Sequence, residues 1–174
     1  MQEAAATAVP GAVEFLQAAS RAGHRVFYIT NRACAPLPSI DDPCPAKTAT
    51  RKNLQRLGLP DADDPDALML RGSHPEWRSS DKTSRRAWVA SRYRVIALFG
   101  DDLNDFMPRA DYAKRRTEFA DFFGRRWFLL PNPIYGSWER VLLGGVCTPS
   151  MTAAQCAIVT TERRYGLLET EGQP

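Results

Sequence analysis

Histidine is nearly missing from this 174-residue chain, which has two, and none of its four cysteines forms a CxxC pair. That argues against a zinc site, which draws on clustered Cys and His ligands at short spacing. No GxxxxGK[ST] stretch occurs, so a P-loop nucleotide site is excluded. No run of 18 apolar residues occurs, so nothing in the sequence spans a membrane as a helix. The opening MQEAAATAVPGAVEF lacks both a basic start and a continuous apolar run, and does not read as a signal peptide. The net charge of +3 is too small, and the arginines too scattered, to indicate nucleic acid. No aspartate precedes Asp41. What remains is ordinary globular composition, 44% hydrophobic and 25% charged, sufficient for one real core and against disorder.

Pattern then assigns elements. Ala12, Phe15, Leu16 and Ala19 follow a helical period from Pro10 to the stop at Gly23. VFYIT, residues 26–30, is β-rich and short. The proline-rich stretch NRACAPLPSIDDPCP is loop, and a helix over 46–57 ends at Gly58. ALMLR (67–71) is a second strand, 81–93 a helix with Asp81 as candidate N-cap, VIALFG (95–100) a third strand, and RWFLL (126–130) a fourth. The segment ADYAKRRTEFADFFG between the last two is a surface helix. Strands alternating with helices predict an α/β fold with a mainly parallel sheet, whose ligands bind beyond the carboxyl ends of the strands. Residues 1–146 are expected to form the core, and 147–174, weakly patterned, a loosely attached tail.

Three features lie at such ends. VFYIT runs into Thr30 and Asn31. Lys82, in SSDKTSRR, opens the helix after the second strand. VIALFG runs into Asp101, Asp102 and Asp105. Each has a plain alternative: Thr30 as a β-branched strand residue, Lys82 as a solvated lysine, and the aspartates as a turn in which Asp102 or Asp105 caps the next helix. Three neighbouring carboxylates are costly without a compensating cation or hydrogen bonds, and Mg²⁺ favours one or two carboxylates plus water and phosphate oxygens. Their order, a strand-end Thr, then a helix-opening Lys, then strand-GDxxxD, is more specific than any member.

That order resembles the haloacid dehalogenase (HAD) superfamily of phosphohydrolases. AVPGAVEFL, VFYITNR, NLQRLGLP, LMLRGSHPEW, SSDKTSRR, LFGDDLNDF and RWFLLPNPIYGSWE resemble its acid phosphatase branch, over nearly all of Ala8 to Leu143. The resemblance implies a Rossmann-like three-layer sandwich and a Mg²⁺-dependent phosphomonoesterase working through an aspartyl-phosphate. It makes Thr30 the hydrogen-bond donor to the phosphoryl group, with help from Asn31, and Lys82 the cation that steadies the phosphoaspartate. Asp101 becomes a metal ligand and Asp105 an acid supporting the metal. Tyr135 borders the substrate pocket, facing a nucleotide or aryl phosphate; its plain alternative is packing under its loop. Homo-oligomerisation is left open.

The family's DxD motif, which carries the nucleophile and the general acid/base, lies on a central first strand upstream of the AVPGAVEF helix. Nothing upstream of that helix in this sequence matches it, and most of the cap has no match either. The expectation is therefore a piece of a longer enzyme, inactive as given. A rival is a degenerate relative that binds phosphate or nucleotide, or stores protein, without turnover. A receiver-like signalling domain is disfavoured, because receivers place their acidic pair before the Thr and Lys. The family is often exported, which would suit a local Cys34–Cys44 bridge; free thiols are the alternative.

Overall fold

The structure is a computed structural model, and it describes residues 6–132, 147–148 and 150–170. The chain divides into two compact units, Met1–Ile96 and Ala97–Pro174. That division falls inside the stretch expected to form one core. The first unit contains α1 (Ala12–Arg21), β1 (Tyr28–Ala33), α2 (Pro45–Arg56), β2 (Leu68–Arg71) and α3 (Thr83–Ala90). The second contains β3 (Leu98–Gly100), a 3₁₀ turn (Leu103–Asp105), α4 (Arg109–Phe119), a second 3₁₀ turn (Ala120–Phe122), β4 (Trp127–Leu129) and α5 (Ala153–Thr170).

In the first unit β1 and β2 pair in parallel, with Tyr28 opposite Leu68, Ile29 opposite Met69 and Thr30 opposite Leu70. The alternation of β2 separates its two faces. Leu68 and Leu70 pack with Ala46 and Leu54 of α2 and with Tyr28, whereas Met69 packs with Trp77, Val89 and Trp88 on the α3 side, joined by Phe27 and Ile29. A sheet covered on both faces by helices is the three-layer arrangement expected of parallel strands, and it explains why Leu68–Leu70 of β2 are all apolar and buried. Asp61, in a left-handed turn conformation, fixes the approach to β1: its carboxylate accepts the Val26 N–H at 2.8 Å and pairs with Arg25 Nε at 2.8 Å. Pro45 opens α2, where its missing N–H costs nothing.

The first strand is displaced from its expected limits. It begins at Tyr28 and runs on to Ala33, because the pairing with β2 slips between Thr30 and Ala33 and resumes at Ala33 opposite Arg71. Such an irregularity inserts unpaired residues and re-aims their side chains, which lets polar Asn31 and Arg32 continue a strand. The helix expected over 81–93 is shorter, and Lys82 occupies its N-cap position. Asp81 still caps, from one residue earlier: its Oδ1 accepts the Thr83 N–H at 2.6 Å.

In the second unit β3 and β4 pair in parallel, Leu98 with Trp127 and Gly100 with Leu129. The third strand is only three residues long; Val95 and Ile96, apolar but 40% and 45% exposed, stay outside it. Leu103, Phe106 and Met107 are buried, and Trp127 collects the rings of Phe106, Phe119, Phe122 and Phe123, all with centroids within 5.6 Å. The weakly patterned tail contains an 18-residue helix, α5. A Cys147–Cys156 disulfide with Cα atoms 5.2 Å apart ties α5 to the segment before it. Cys34 and Cys44 form a second disulfide, between the exit of β1 and the N-cap of α2, and no cysteine among the described residues is free. Among the described residues no helix is long and apolar enough to cross a membrane.

Candidate active site

The first unit brings together the part of β1 where its pairing with β2 slips and the segment that opens α3. Asn31 Nδ2 donates to the Ser80 carbonyl at 2.9 Å. Arg85, on the first turn of α3 and completely buried, donates from Nη1 to the Thr30 carbonyl at 2.6 Å and from Nη2 to Asn31 Oδ1 at 2.7 Å. The same Nη2 reaches the carbonyls of Asp81 at 3.2 Å and Ser79 at 3.3 Å. Residues 30–31 and 79–82 are thus joined, which puts the main chain carrying Lys82 beside that carrying Thr30. The Thr30 hydroxyl accepts the Arg32 N–H at 3.3 Å, an arrangement that leaves its own O–H able to donate outward. Burial would raise the Asp81 carboxyl, but the Thr83 hydroxyl and N–H, with Arg86 and Arg85 nearby, outweigh it and hold the group below its usual range.

The second unit places Asp101 directly after β3. Asn132 Nδ2 donates to Asp101 Oδ2 at 2.5 Å. The two aspartates that follow are engaged by the main chain, as the turn reading of the cluster expects. Asp102 Oδ1 accepts the Asn104 N–H at 2.8 Å, and Asp105 Oδ2 accepts the Asp102 N–H at 2.9 Å, a reciprocal capping box around the 3₁₀ turn. Asp105 lies against Gly100, where any Cβ would overlap its carboxylate. That close approach explains the glycine at the end of the strand. Among the described residues no group of three or more His, Cys, Asp or Glu is placed to hold a metal ion. Tyr135 lies outside the described residues.

A family model described as HAD superfamily, subfamily IIIB (acid phosphatase), matches residues 1–138. The chain belongs to this family. Thr30, Asn31, Lys82, Asp101 and Asp105 lie within the matched segment. Among solved structures, the class C acid phosphatase from Bacillus anthracis is similar with a TM-score of 0.67 at 28% identity, and the same enzyme with tungstate bound with a TM-score of 0.69 at 28% identity. Each comparison covers 94% of this chain and 62% of the Bacillus anthracis chain. The mixed α/β architecture with short parallel sheets matches the fold of these HAD-type acid phosphatases.

Arg85 was not singled out by the sequence. SSDKTSRR predicts the opening of a helix with Asp81 as its cap and Lys82 as the candidate cation, and gives Arg85 no role. The available signal was positional: Arg85 and Val89 are one turn apart on α3, and both are buried. An arginine at a position of the buried stripe is a candidate for internal hydrogen bonding.

Proposed function

We propose that this chain carries phosphoryl-binding and metal-holding residues of a Mg²⁺-dependent phosphomonoesterase of the acid phosphatase and 5′-nucleotidase type. The observation that carries the reading is the order of strand and helix ends inside the matched residues 1–138: Thr30 before the slip in β1, Lys82 at the start of α3, Asp101 at the end of β3. Thr30 donates its O–H to a phosphoryl oxygen and Asn31 supports it. Lys82 balances charge on the phosphorylated carboxylate. Tyr135 borders the nucleoside or aryl part of the substrate.

Asp101 would hold Mg²⁺, steadied by Asn132, with Asp105 supporting the turn behind it. One ordered carboxylate fits an ion that takes its other oxygens from water, phosphate and further carboxylates. When bound, the ion supplies positive charge against the phosphoryl oxygens.

In the complete reaction a carboxylate attacks phosphorus, the alcohol leaves with a proton from a second carboxyl group, and water then hydrolyses the acyl phosphate, returning that proton. The DxD spacings in this sequence, Asp61-Ala62-Asp63 and Asp64-Pro65-Asp66, lie in the turns between α2 and β2 and not on a strand ahead of α1, so they do not provide those two carboxylates and this chain by itself does not turn over. The two disulfides support residence in an oxidising compartment. The lack of a DxD ahead of α1 also keeps a second reading alive, a relative that binds phosphate or nucleotide without catalysis.

The test expresses this chain beside a longer reading frame extended upstream of Met1. Both are assayed with p-nitrophenyl phosphate and nucleoside monophosphates, with and without Mg²⁺. Activity in the longer protein only, lost in Asp101→Asn, is the expected result. No activity in either, with phosphate binding retained, establishes the non-catalytic reading instead.

A further inference from the structure

We propose that Arg85 is the positioning residue that sets Asn31 and the start of α3 as one piece, and so orients the groups that meet the phosphoryl oxygens. The inference rests on the functional reading above but is carried by its own geometry. Among the described residues Arg85 is the largest of the fully buried side chains, with no exposed surface. A buried guanidinium is costly unless its N–H groups are used. Here the two terminal nitrogens reach four acceptors in two segments: the Thr30 carbonyl and Asn31 Oδ1 at the register slip within β1, and the Ser79 and Asp81 carbonyls ahead of α3.

The consequence falls on Asn31. Its carboxamide oxygen accepts from Arg85 while its nitrogen donates to the Ser80 carbonyl. A flip of that amide would break both bonds, so its orientation is fixed at both ends. This happens at the residue where the β1 register slips, which the β2 ladder does not hold in place. Having no surface of its own, Arg85 touches no substrate and acts through Asn31 and the main chain leading to Lys82. A lysine keeps the charge but not the planar fork that spans two segments.

The experiment uses ¹⁵N-labelled full chain, wild type against Arg85→Lys and Arg85→Gln, with Leu68→Ala as a destabilised control at the far end of the sheet. NMR follows the Asn31 side-chain amide, and a titration with inorganic phosphate follows binding. Expected are folded variants whose Asn31 amide signals shift and whose phosphate affinity falls about tenfold or more, since small misplacements of binding groups are costly. In Leu68→Ala both readouts stay at their wild-type values despite the lower stability. Unmoved Asn31 signals with affinity within about twofold of wild type overturn the proposal. Unfolding of both Arg85 variants also overturns it, by assigning the residue to stability. If the wild type binds no phosphate, the functional reading fails, and the Asn31 signals alone decide the role of Arg85.

Discussion

Gly100→Ala tests how tightly the turn after β3 is built. The added Cβ would overlap Oδ2 and Cβ of Asp105 and lie 2.5 Å from its Cγ. The backbone of Gly100 is not left-handed, so the cost is purely steric. Asp105 cannot simply swing away, because its carboxylate accepts the Asp102 N–H and its own N–H donates to the Asp102 carbonyl at 2.8 Å. Crowding of this kind costs about 1–3 kcal/mol, and loss of a capping hydrogen bond about 0.5–2. Together they give about 2–4 kcal/mol, or a melting temperature about 5–15 °C lower for a chain of this size. Urea and thermal unfolding followed by circular dichroism measure it. Asp105→Gly removes the atoms in the way, so Gly100→Ala with Asp105→Gly should cost less than the sum of the single changes, by about 1–2 kcal/mol. A single variant within about 0.5 kcal/mol of wild type, or strict additivity, would refute the packing described for this turn.

Leu70→Ala, at a fully buried position of β2, should lower stability by about 2–5 kcal/mol in the same unfolding assays. Burial, with the Asp61 carboxylate adding to it, raises the Tyr28 phenol above its usual value of 10.0, and its O–H donates to the Pro60 carbonyl at 2.7 Å. A raised folded value means stability that is present below pH 10 and declines as pH climbs above it, and Tyr28→Phe should flatten that decline in unfolding measured across alkaline pH. Replacing Cys34 and Cys44 together by serine opens a loop with a sequence separation of 10 and should cost about 2–3 kcal/mol, measured against the intact, non-reduced chain.

Where local chemistry dictated structure, it was legible. The apolar period of α1, Gly58 closing α2, and the apolar Leu68–Leu70 of β2 all gave their elements directly, since each signal acts within one turn or one pleat, whereas Pro45, assigned to the preceding loop, opens α2. The limits of β1 were not legible, because continuation through Asn31 and Arg32 depends on where β2 re-engages at Ala33, a tertiary event. Val95 and Ile96 favour a strand but lie before the pairing with β4, which starts at Leu98. The α5 helix was missed because AAQCAIVTTERRYGLLET concentrates its apolar residues on no single face. For the proposed site, Thr30, Lys82 and Asp101 were legible as candidates because each lies where regular strand pairing or a helix begins or ends, and pattern and chemistry coincide there. Asp102 and Asp105 were read both ways, and the structure shows the main-chain contacts that a capping role requires. Arg85 depended on burial, which a one-dimensional string of charged residues conceals.

Both ladders among the described residues are parallel. A parallel pair cannot be seeded by a tight hairpin, because a crossover must be completed before the first rung forms. The Arg85 contact to Thr30, across 55 positions, is of the same long-range kind. Closing such loops loses chain entropy before any contact compensates for it. The chain is therefore expected to acquire its helices early and its strand order late, with the Thr30–Asn31 corner among the last places to become ordered. A newly made chain would spend that interval with the apolar Leu68–Leu70 of β2 exposed, and this is the period when dilution and a low growth temperature would most improve the yield of folded protein.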